Sequence, residues 1–456
     1  MPCPKTDELL TRLATRSALR RARWWSLFLL VALSVFLAQP AAGQVRLLQN
    51  PQVVRVHDQI YVATGFSLGN VIYIVTETSL VVVDTTESMQ VAAETLRKMQ
   101  EIVDLPVSHI IYTHFHGDHV NGAKALLDDE TQIIAHAELP GEIERYRLIY
   151  PYHRRLNAIQ FGASLKAEDR AVRLAVDPQR PLVGYVEPTI TFEDEHKFEV
   201  GGVQIDLYHT VGETLDHLMV WLPETKTLCP GDLFYPSFPM LSSPMKHDRP
   251  VLKWAESIER MVEMEPHYLV PSHVLPFSGA EQIKSMLGNY ARAIRHVHDE
   301  TIAGLNEGLP LADIRGRVEL PPDLADLPYL RELYGRIDWA VNGIYRQYTG
   351  WYDMQPAHLA PAPEADVQRA LVEAAGGPES IIRRASQALE DDRPQIALEL
   401  SDVVIGAGHD AGDVRAVRQA ALERLAKTAT NTVARNIYRA AAAEQPSPST
   451  STSGGR

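Results

Sequence analysis

The sequence predicts an α/β domain followed by a mostly helical C-terminal region, on three observations. Short runs rich in Val, Ile and Tyr, bounded by turn residues, recur through the first half, which is the patterning of strands. One such run leads directly into a loop dense in histidine and aspartate, Thr113 to His119. From about Val251 the chain turns to Ala, Leu, Arg and Glu, broken by Pro and Gly clusters, as expected of helices joined by short breaks.

Taken in order, Arg20, Arg21 and Arg23 precede the apolar run Trp24 to Leu37, and Ala41-Ala42-Gly43 supplies small residues. This reads as a secretory signal, and the run is short for a spanning helix. Residues 1–43 are therefore expected to be a signal peptide or an N-terminal anchor. The protein is expected to be exported, periplasmic or secreted, touching a membrane only through that segment if it is retained. Strands are expected at Val53 to Val56, Ile60 to Thr64, Val71 to Val75 and Leu80 to Asp84, followed by a helix from Ser88 to Ile102. Further strands are expected at His109 to Tyr112, Gln132 to Ala135, Ile190 to Phe192, Val203 to Tyr208, Leu218 to Leu222 and Thr227 to Pro230. Residues 44–290 are assigned to this α/β domain and 291–443 to the helical one. Glu379 to Leu389, Gln395 to Ile405 and Asp413 to Lys427 read as amphipathic helices packed on one another. Residues 444–456, rich in Ser, Thr, Pro and Gly, are expected to be a disordered tail.

Bulk properties exclude several classes. With 456 residues, 45% hydrophobic and 22% charged, the chain has an ordinary globular composition. The formal net charge is −14, and outside the N-terminal segment no stretch is dense in Lys or Arg. A surface that tracks nucleic-acid phosphates is thus excluded as the main function. The two cysteines, Cys3 and Cys229, offer no internal disulfide framework.

The chemistry is concentrated in His114-Phe115-His116-Gly117-Asp118-His119. Three imidazoles and a carboxylate in one tight turn can converge on a metal ion, because both donor types suit zinc and its neighbours. A solvated polar loop is the bland reading, but histidine is scarce and the cluster sits directly after a Val/Ile strand.

These residues resemble the ligand motif of the metallo-β-lactamase superfamily, and further motifs follow in the expected order between about Ile60 and Gly279. The resemblance implies an αββα sandwich. It implies that Asp84 steadies the histidine loop by hydrogen bonding rather than ligating metal. In Val211-Gly212-Glu213-Thr214-Leu215-Asp216-His217 it puts Glu213 where most of the superfamily has a histidine ligand. Pro230-Gly231-Asp232 matches the bridging acid, and Pro271-Ser272-His273 the last histidine. The glutamate is similar to that of the alkyl sulfatase branch. Leu333 to Gly335, Trp339 and the run Gly350 to Leu359 resemble that branch's helical dimerisation domain, which implies a homodimer. The sterol-carrier-like lipid-binding domain of some members is not expected after these helices.

The implied centre holds two divalent metal ions, zinc as the first choice, with manganese or iron admitted by the carboxylates. His114, His116 and Glu213 are assigned to one ion and Asp118, His119 and His273 to the other, with Asp232 bridging. Asp118 is also the candidate catalytic group, orienting or accepting a proton. The implied substrate is a small anionic ester, an alkyl sulfate first. However, the asparagine and arginine with which alkyl sulfatases grip sulfate are missing after Asp232. Lys246 and Arg249 are the nearest cations, which either bind the anionic head group or lie on a solvated loop. The apolar run Phe234 to Met245 either lines a cleft for an alkyl chain or simply packs. His217 is read as supporting the site, or as a ligand if the loop register differs. His136, His209, His247 and His358 are read as non-catalytic. Rival readings are hydrolysis of another ester, lactam, lactone or thioester, iron-dependent oxidation, or a non-catalytic dimeric metal-binding envelope protein.

Overall fold

Two β-sheets are stacked face to face in a computed structural model that describes residues 50–163, 165, 182–410 and 412–443. The expected signal or anchor (1–43) and the expected tail (444–456) lie outside the described residues. The first sheet runs in the order β1 (Gln52–His57), β2 (Ile60–Thr64), β3 (Val71–Val75), β4 (Leu80–Val83), β5 (Val107–Ile111), β6 (Gln132–His136) and β7 (Ile190–Phe192). β1 to β4 are antiparallel hairpins, and β4 to β7 are parallel. The second sheet comprises β8 (Glu195–Val200), β9 (Val203–His209), β10 (Leu218–Leu222), β11 (Thr227–Cys229), β12 (Tyr268–Leu269) and β13 (Phe277–Ser278), each next to its successor.

Alternation along the strands decides what each face buries. Ile60, Val62, Ile72, Ile74, Val81 and Val83 meet Ile205, Leu207, Leu218 and Val220 between the sheets, in a core that also encloses the free thiol of Cys229. Tyr61, Tyr73, Leu80 and Val82 point the other way, onto α1 (Met89–Gln100) and α2 (Leu139–Leu148). α3 (Tyr150–Gln160) follows α2, and the outer face of the second sheet, through Met219, Trp221, Leu228 and Leu269, is covered by α4 (Val251–Glu263), α5 (Ala280–Asn306) and, after α6 (Leu311–Arg317), α7 (Ile337–Tyr348). These layers are the αββα sandwich.

The C-terminal array consists of α8 (Glu364–Ala374), α9 (Pro378–Glu390), α10 (Pro394–Gly406), α11 (Gly412–Thr428) and α12 (Thr432–Ala443), with small cores of its own around Val404 and Ala421. Its last helix returns to the α/β layers. Asn436 Nδ2 donates to Gln160 O at 2.8 Å, and Asn431 Nδ2 to Tyr334 O at 2.9 Å. No helix among the described residues is long and apolar enough to cross a membrane.

Two expectations need correcting. β8, Glu-His-Lys-Phe-Glu-Val, was not anticipated as a strand because charged residues occupy its solvent side; pairing with β9 from Glu195 to Val200 holds it in place. The region read as helical from Val251 is interrupted by β12 and β13. Each is two residues long, too short to show a period, and exists only through pairing with β11 and with each other.

Candidate metal centre

The histidine loop leaves the C-terminal end of β5, where α/β architectures place their chemistry, and is tied down by the carboxylate that ends the parallel neighbour β4. Asp84 is 1% exposed, with a left-handed φ of 61°. Its Oδ1 accepts from Thr113 N at 2.9 Å. Its Oδ2 accepts from Thr113 Oγ1 at 2.9 Å and Ser272 Oγ at 3.1 Å, and lies 2.7 Å from His119 Nδ1. One buried carboxylate thus joins the loop of His114 to His119 to the loop carrying His273.

The site closes around Asp232, on a turn after β11. Asp232 Oδ2 is 2.9 Å from His273 Nε2, 3.5 Å from His119 Nε2 and 3.9 Å from His114 Nε2. Asp118 Oδ2 is 3.4 Å from His119 Nε2 and 3.5 Å from His273 Nε2. Glu213 Oε1 is 3.7 Å from His116 Nδ1. Three sets of donor atoms lie within 4.8 Å of one another: His114 with His119 and Asp232, Asp118 with His119 and His273, and His116 with Glu213 and Asp232. All seven expected ligands therefore meet. The grouping differs in one respect: His114 joins His119 and Asp232 rather than His116 and Glu213, although its Nε2 is 2.8 Å from His116 Nδ1.

The donor set fits divalent cations. His119 Nε2, Glu213 Oε2 and Asp232 Oδ1 are buried without a hydrogen-bond partner among the described residues, a costly state for polar atoms unless something binds them. His273 Nδ1 lies 3.0 Å from Leu68 O. A carbonyl can only accept, so the proton sits on Nδ1 and Nε2 offers its lone pair to the centre. His217 is different. Its Nε2 accepts from Asp232 N at 3.2 Å and its Nδ1 faces Thr210 Oγ1 at 3.1 Å, so it props the bridging acid and stacks on His114 with ring centroids 5.0 Å apart. Gly231 allows this contact, since a Cβ there would lie 2.6 Å from His217 Nε2 at a φ of +57°.

Without metal the charges compensate one another. Burial works against a charged His273, but Asp232 and Asp118 outweigh it and push its pKa up to about 9. Burial would also raise Asp232, but His273 and His119 hold it well below the usual carboxylate range. Glu213 is pushed up to about 7 by burial, against the pull of Arg249.

The two candidate substrate cations part company. Arg249 is 4% exposed, ion-paired with Glu213 through NH2, donates through NH1 to Met240 O at 2.7 Å, and lies 5.5 Å from the Trp254 ring centroid. It is buried rather than on a solvated loop, and borders the wider cleft while its guanidinium is paired with Glu213. Lys246 makes no ion pair among the described residues. Burial, then the neighbouring Arg249, push its pKa down to about 8. It borders both a cavity of about 160 Å³, lined also by His116, Asp118, Tyr235, His273 and Val433, and a wider cleft of about 540 Å³ past Tyr152, His153 and His247. The Phe234 to Met245 run divides in the same way: Phe234, Phe238, Met240 and Leu241 are fully buried, while Tyr235, Pro236 and Ser237 face the cavity.

Among the other histidines, His136 and His209 stack on each other at 3.8 Å away from the ligand groups, and His358 pairs with Asp353 at 2.6 Å. The sequence reading missed Asn70, which is 3% exposed and clamps the His273 loop by donating to Pro271 O at 3.0 Å and Val274 O at 2.9 Å. It also missed the cavity wall from α3 and α12. Asn70 sits alone before a strand, and α12 is some 300 residues from the histidine loop in the chain, so no local signal marks either.

Comparisons with known proteins identify the family. A family model described as the metallo-beta-lactamase superfamily matches residues 64–273, and one described as alkyl sulfatase dimerisation matches 311–447. A linear primary-alkylsulfatase of a Pseudomonas strain is 31% identical over 379 residues, covering 80% of this chain and 72% of its own. An alkyl/aryl-sulfatase of Saccharomyces cerevisiae is 25% identical, over 86% of this chain and 63% of its own. The solved structure of a stereoselective inverting sec-alkylsulfatase from Pseudomonas superposes with a TM-score of 0.79 at 22% identity, over 86% of this chain and 65% of that one. The chain thus spans under two thirds of the last two relatives.

Proposed function

This chain belongs to the alkyl sulfatase branch of the metallo-β-lactamase superfamily, and from that premise we propose that it hydrolyses sulfate esters of alkyl alcohols at a centre of two divalent metal ions, zinc first. The observation that carries the reading is the convergence of all seven candidate ligands around Asp232 at the edge of a partly apolar cavity. His114, His116, Asp118, His119, Glu213, Asp232 and His273 would together hold the two ions. When bound, such a pair supplies a water of lowered pKa and a positive clamp for anionic oxygens.

The chain's own groups do the rest. Lys246 borders the cavity as a cation and would take the sulfate oxygens, replacing the missing asparagine and arginine. Asp118, which lines the cavity, would orient the attacking water and receive its proton. Asp84 and the Leu68 carbonyl keep the rings of His119 and His273 in the tautomer that leaves Nε2 free. The products are the alcohol, sulfate and a proton.

The test is sulfate release from a medium-chain primary alkyl sulfate by purified protein, with metal content measured on the same sample and His116→Ala as control. About two bound metals and release abolished in the variant support the reading. Two metals without release remove the substrate and turn attention to lactams, lactones and thioesters.

Two further proposals go with it. A second copy of this chain is the partner proposed for the apolar surface of Tyr348, Trp351, Met354, Leu359 and Leu371, each at least half exposed, since it lies within the span matched to dimerisation. Export directed by residues 1–43 is the proposed localisation, tested by N-terminal sequencing of protein recovered from cell fractions.

A further inference from the structure

We propose that the corner between α2 and α3 docks onto the surface of an anionic micelle, so that the ester is drawn from its own assembly, head group first, into the wider cleft. The identity of the micelle rests on the sulfatase reading, whereas the docking is read from the rim of the cleft itself.

α2 ends at Leu148 and α3 begins at Tyr150, with Ile149 between them. Leu148 is 81% exposed, Tyr152 50% and Ile149 47%, and Leu215, on the loop that carries Glu213, is 42% exposed. Ile149, Tyr152 and Leu215 line the wider cleft, which His116 and Glu213 of the metal centre also line. Large apolar side chains gathered at the mouth of a cleft, rather than scattered singly, mark a surface that meets another apolar phase.

Charge selects the occupant. α3 carries Arg154, Arg155 and His153 and no acidic residue, in a chain whose formal net charge is −14. Arg155 is exposed and lies 5.6 Å from the Tyr152 ring centroid, without an ion pair among the described residues. The acids that line the cleft are already matched, Glu142 by Arg145, Glu213 by Arg249 and Asp248 by Arg346. Lys246 lines the same cleft with no acid of its own. The charge left uncompensated at this apolar mouth is therefore positive, the combination with which peripheral helices bind anionic amphiphile surfaces. A zwitterionic surface, or a second copy of this acidic chain, offers no such match. On a micelle the heads face outward over the chains. Leu148 and Tyr152 reach the chains, Arg155 meets the heads, and Lys246 attracts the nearest head into the cleft toward His116 and Glu213.

The experiment uses metal-loaded wild-type protein, the double variant Leu148→Gln with Tyr152→Gln, and Arg155→Gln. Binding is measured by sedimentation with mixed micelles of a non-ionic surfactant and a long-chain alkanesulfonate, which has no ester bond to cleave, and with purely non-ionic micelles and anionic lipid vesicles. Sulfate release from a medium-chain alkyl sulfate is followed below and above its critical micelle concentration. Thermal midpoint, metal content and mass establish that each sample is folded, loaded and unchanged in assembly. Wild type is expected to bind the sulfonate micelles and to show a second rise in rate once the ester forms micelles. The double variant should bind about tenfold or more weakly, the loss that follows when one large side chain is no longer buried. It should also lose the second rise while keeping the wild-type rate on monomeric ester. Arg155→Gln should weaken binding and reduce its dependence on salt. Equal binding of wild type to non-ionic micelles, or undiminished binding by the double variant, overturns the proposal. Vesicles bound as tightly as the sulfonate micelles make a membrane the occupant, and a double variant of lower mass makes it a second copy; either result overturns the micelle. Micelle binding with no ester cleaved means that the sulfatase reading fails while docking stands. Cleavage of monomers with neither binding nor a second rise leaves the sulfatase reading and ends this one. The wild-type contrast between charged and non-ionic micelles decides the matter if neither variant folds.

Discussion

Asp84 and Arg249 show how single buried charges organise this centre. Asp84 accepts from two loops and faces His119, so Asp84→Asn replaces one acceptor oxygen by an amide donor facing other donors. Metal affinity is expected to fall by about 10- to 100-fold, as for other groups that orient ligands, in a competition titration against a chromogenic chelator; unchanged affinity would remove Asp84 from the metal site. Arg249→Met leaves Glu213 buried without its countercharge, an expected loss of about 3 kcal/mol in the metal-free protein, measured by denaturant unfolding. The loss should shrink once metal takes over the neutralisation of Glu213. An effect on KM alone, with stability intact, would instead make Arg249 a substrate contact. His273 sets a pH dependence. Because its pKa is raised to about 9 in the metal-free fold, its protonated form stabilises that fold fully below about pH 6.5, and the contribution fades as pH rises through about 9. A metal ion must displace that proton, so affinity is expected to rise with pH across the same window and binding to release protons at neutral pH. Calorimetry in two buffers of different ionisation enthalpy reads the release, and identical heats in both would contradict it.

At the scale of elements, the site depends on turns that follow strands, and the glycines in them are not equivalent. Gly231 has a φ of +57°, and a Cβ there would meet His217 Nε2 at 2.6 Å and Thr113 Cβ at 3.1 Å. Gly231→Ala is expected to destabilise by about 1–3 kcal/mol, and to displace Asp232, whose N–H bonds the same imidazole. Gly288, inside α5, has no atom within 4 Å of its would-be Cβ. Gly288→Ala should therefore stabilise by about 0.5–1 kcal/mol through helix propensity. Thermal midpoints of the pair, measured together, check the contrast; a destabilising Gly288→Ala would mean that something else packs on that face.

For the whole molecule, α12 brings the end of the described chain back to the catalytic layers, and the helical region presents exposed apolar side chains. Trp351 is 70% exposed, Met354 63% and Leu359 62%, large apolar side chains that a second copy would cover. Trp351→Glu combined with Met354→Lys is expected to halve the mass measured by light scattering. If wild type is itself a monomer at micromolar concentration, the second-copy proposal is wrong.

The local pattern was sufficient for much of this. Short apolar runs defined β2, β3 and β10 to the residue, because strands buried on both faces leave a continuous apolar signature. The close spacing of His114 to His119 made a metal loop legible, since so many donors in one turn have few other uses. What the tertiary structure alone decided involves residues far apart in the chain: Asn70 clamping the His273 loop, Arg249 spent on Glu213, and α12 walling the cavity against α3. Burial and the pairing of one charge with another are properties of packing between such segments. No window of sequence carries them.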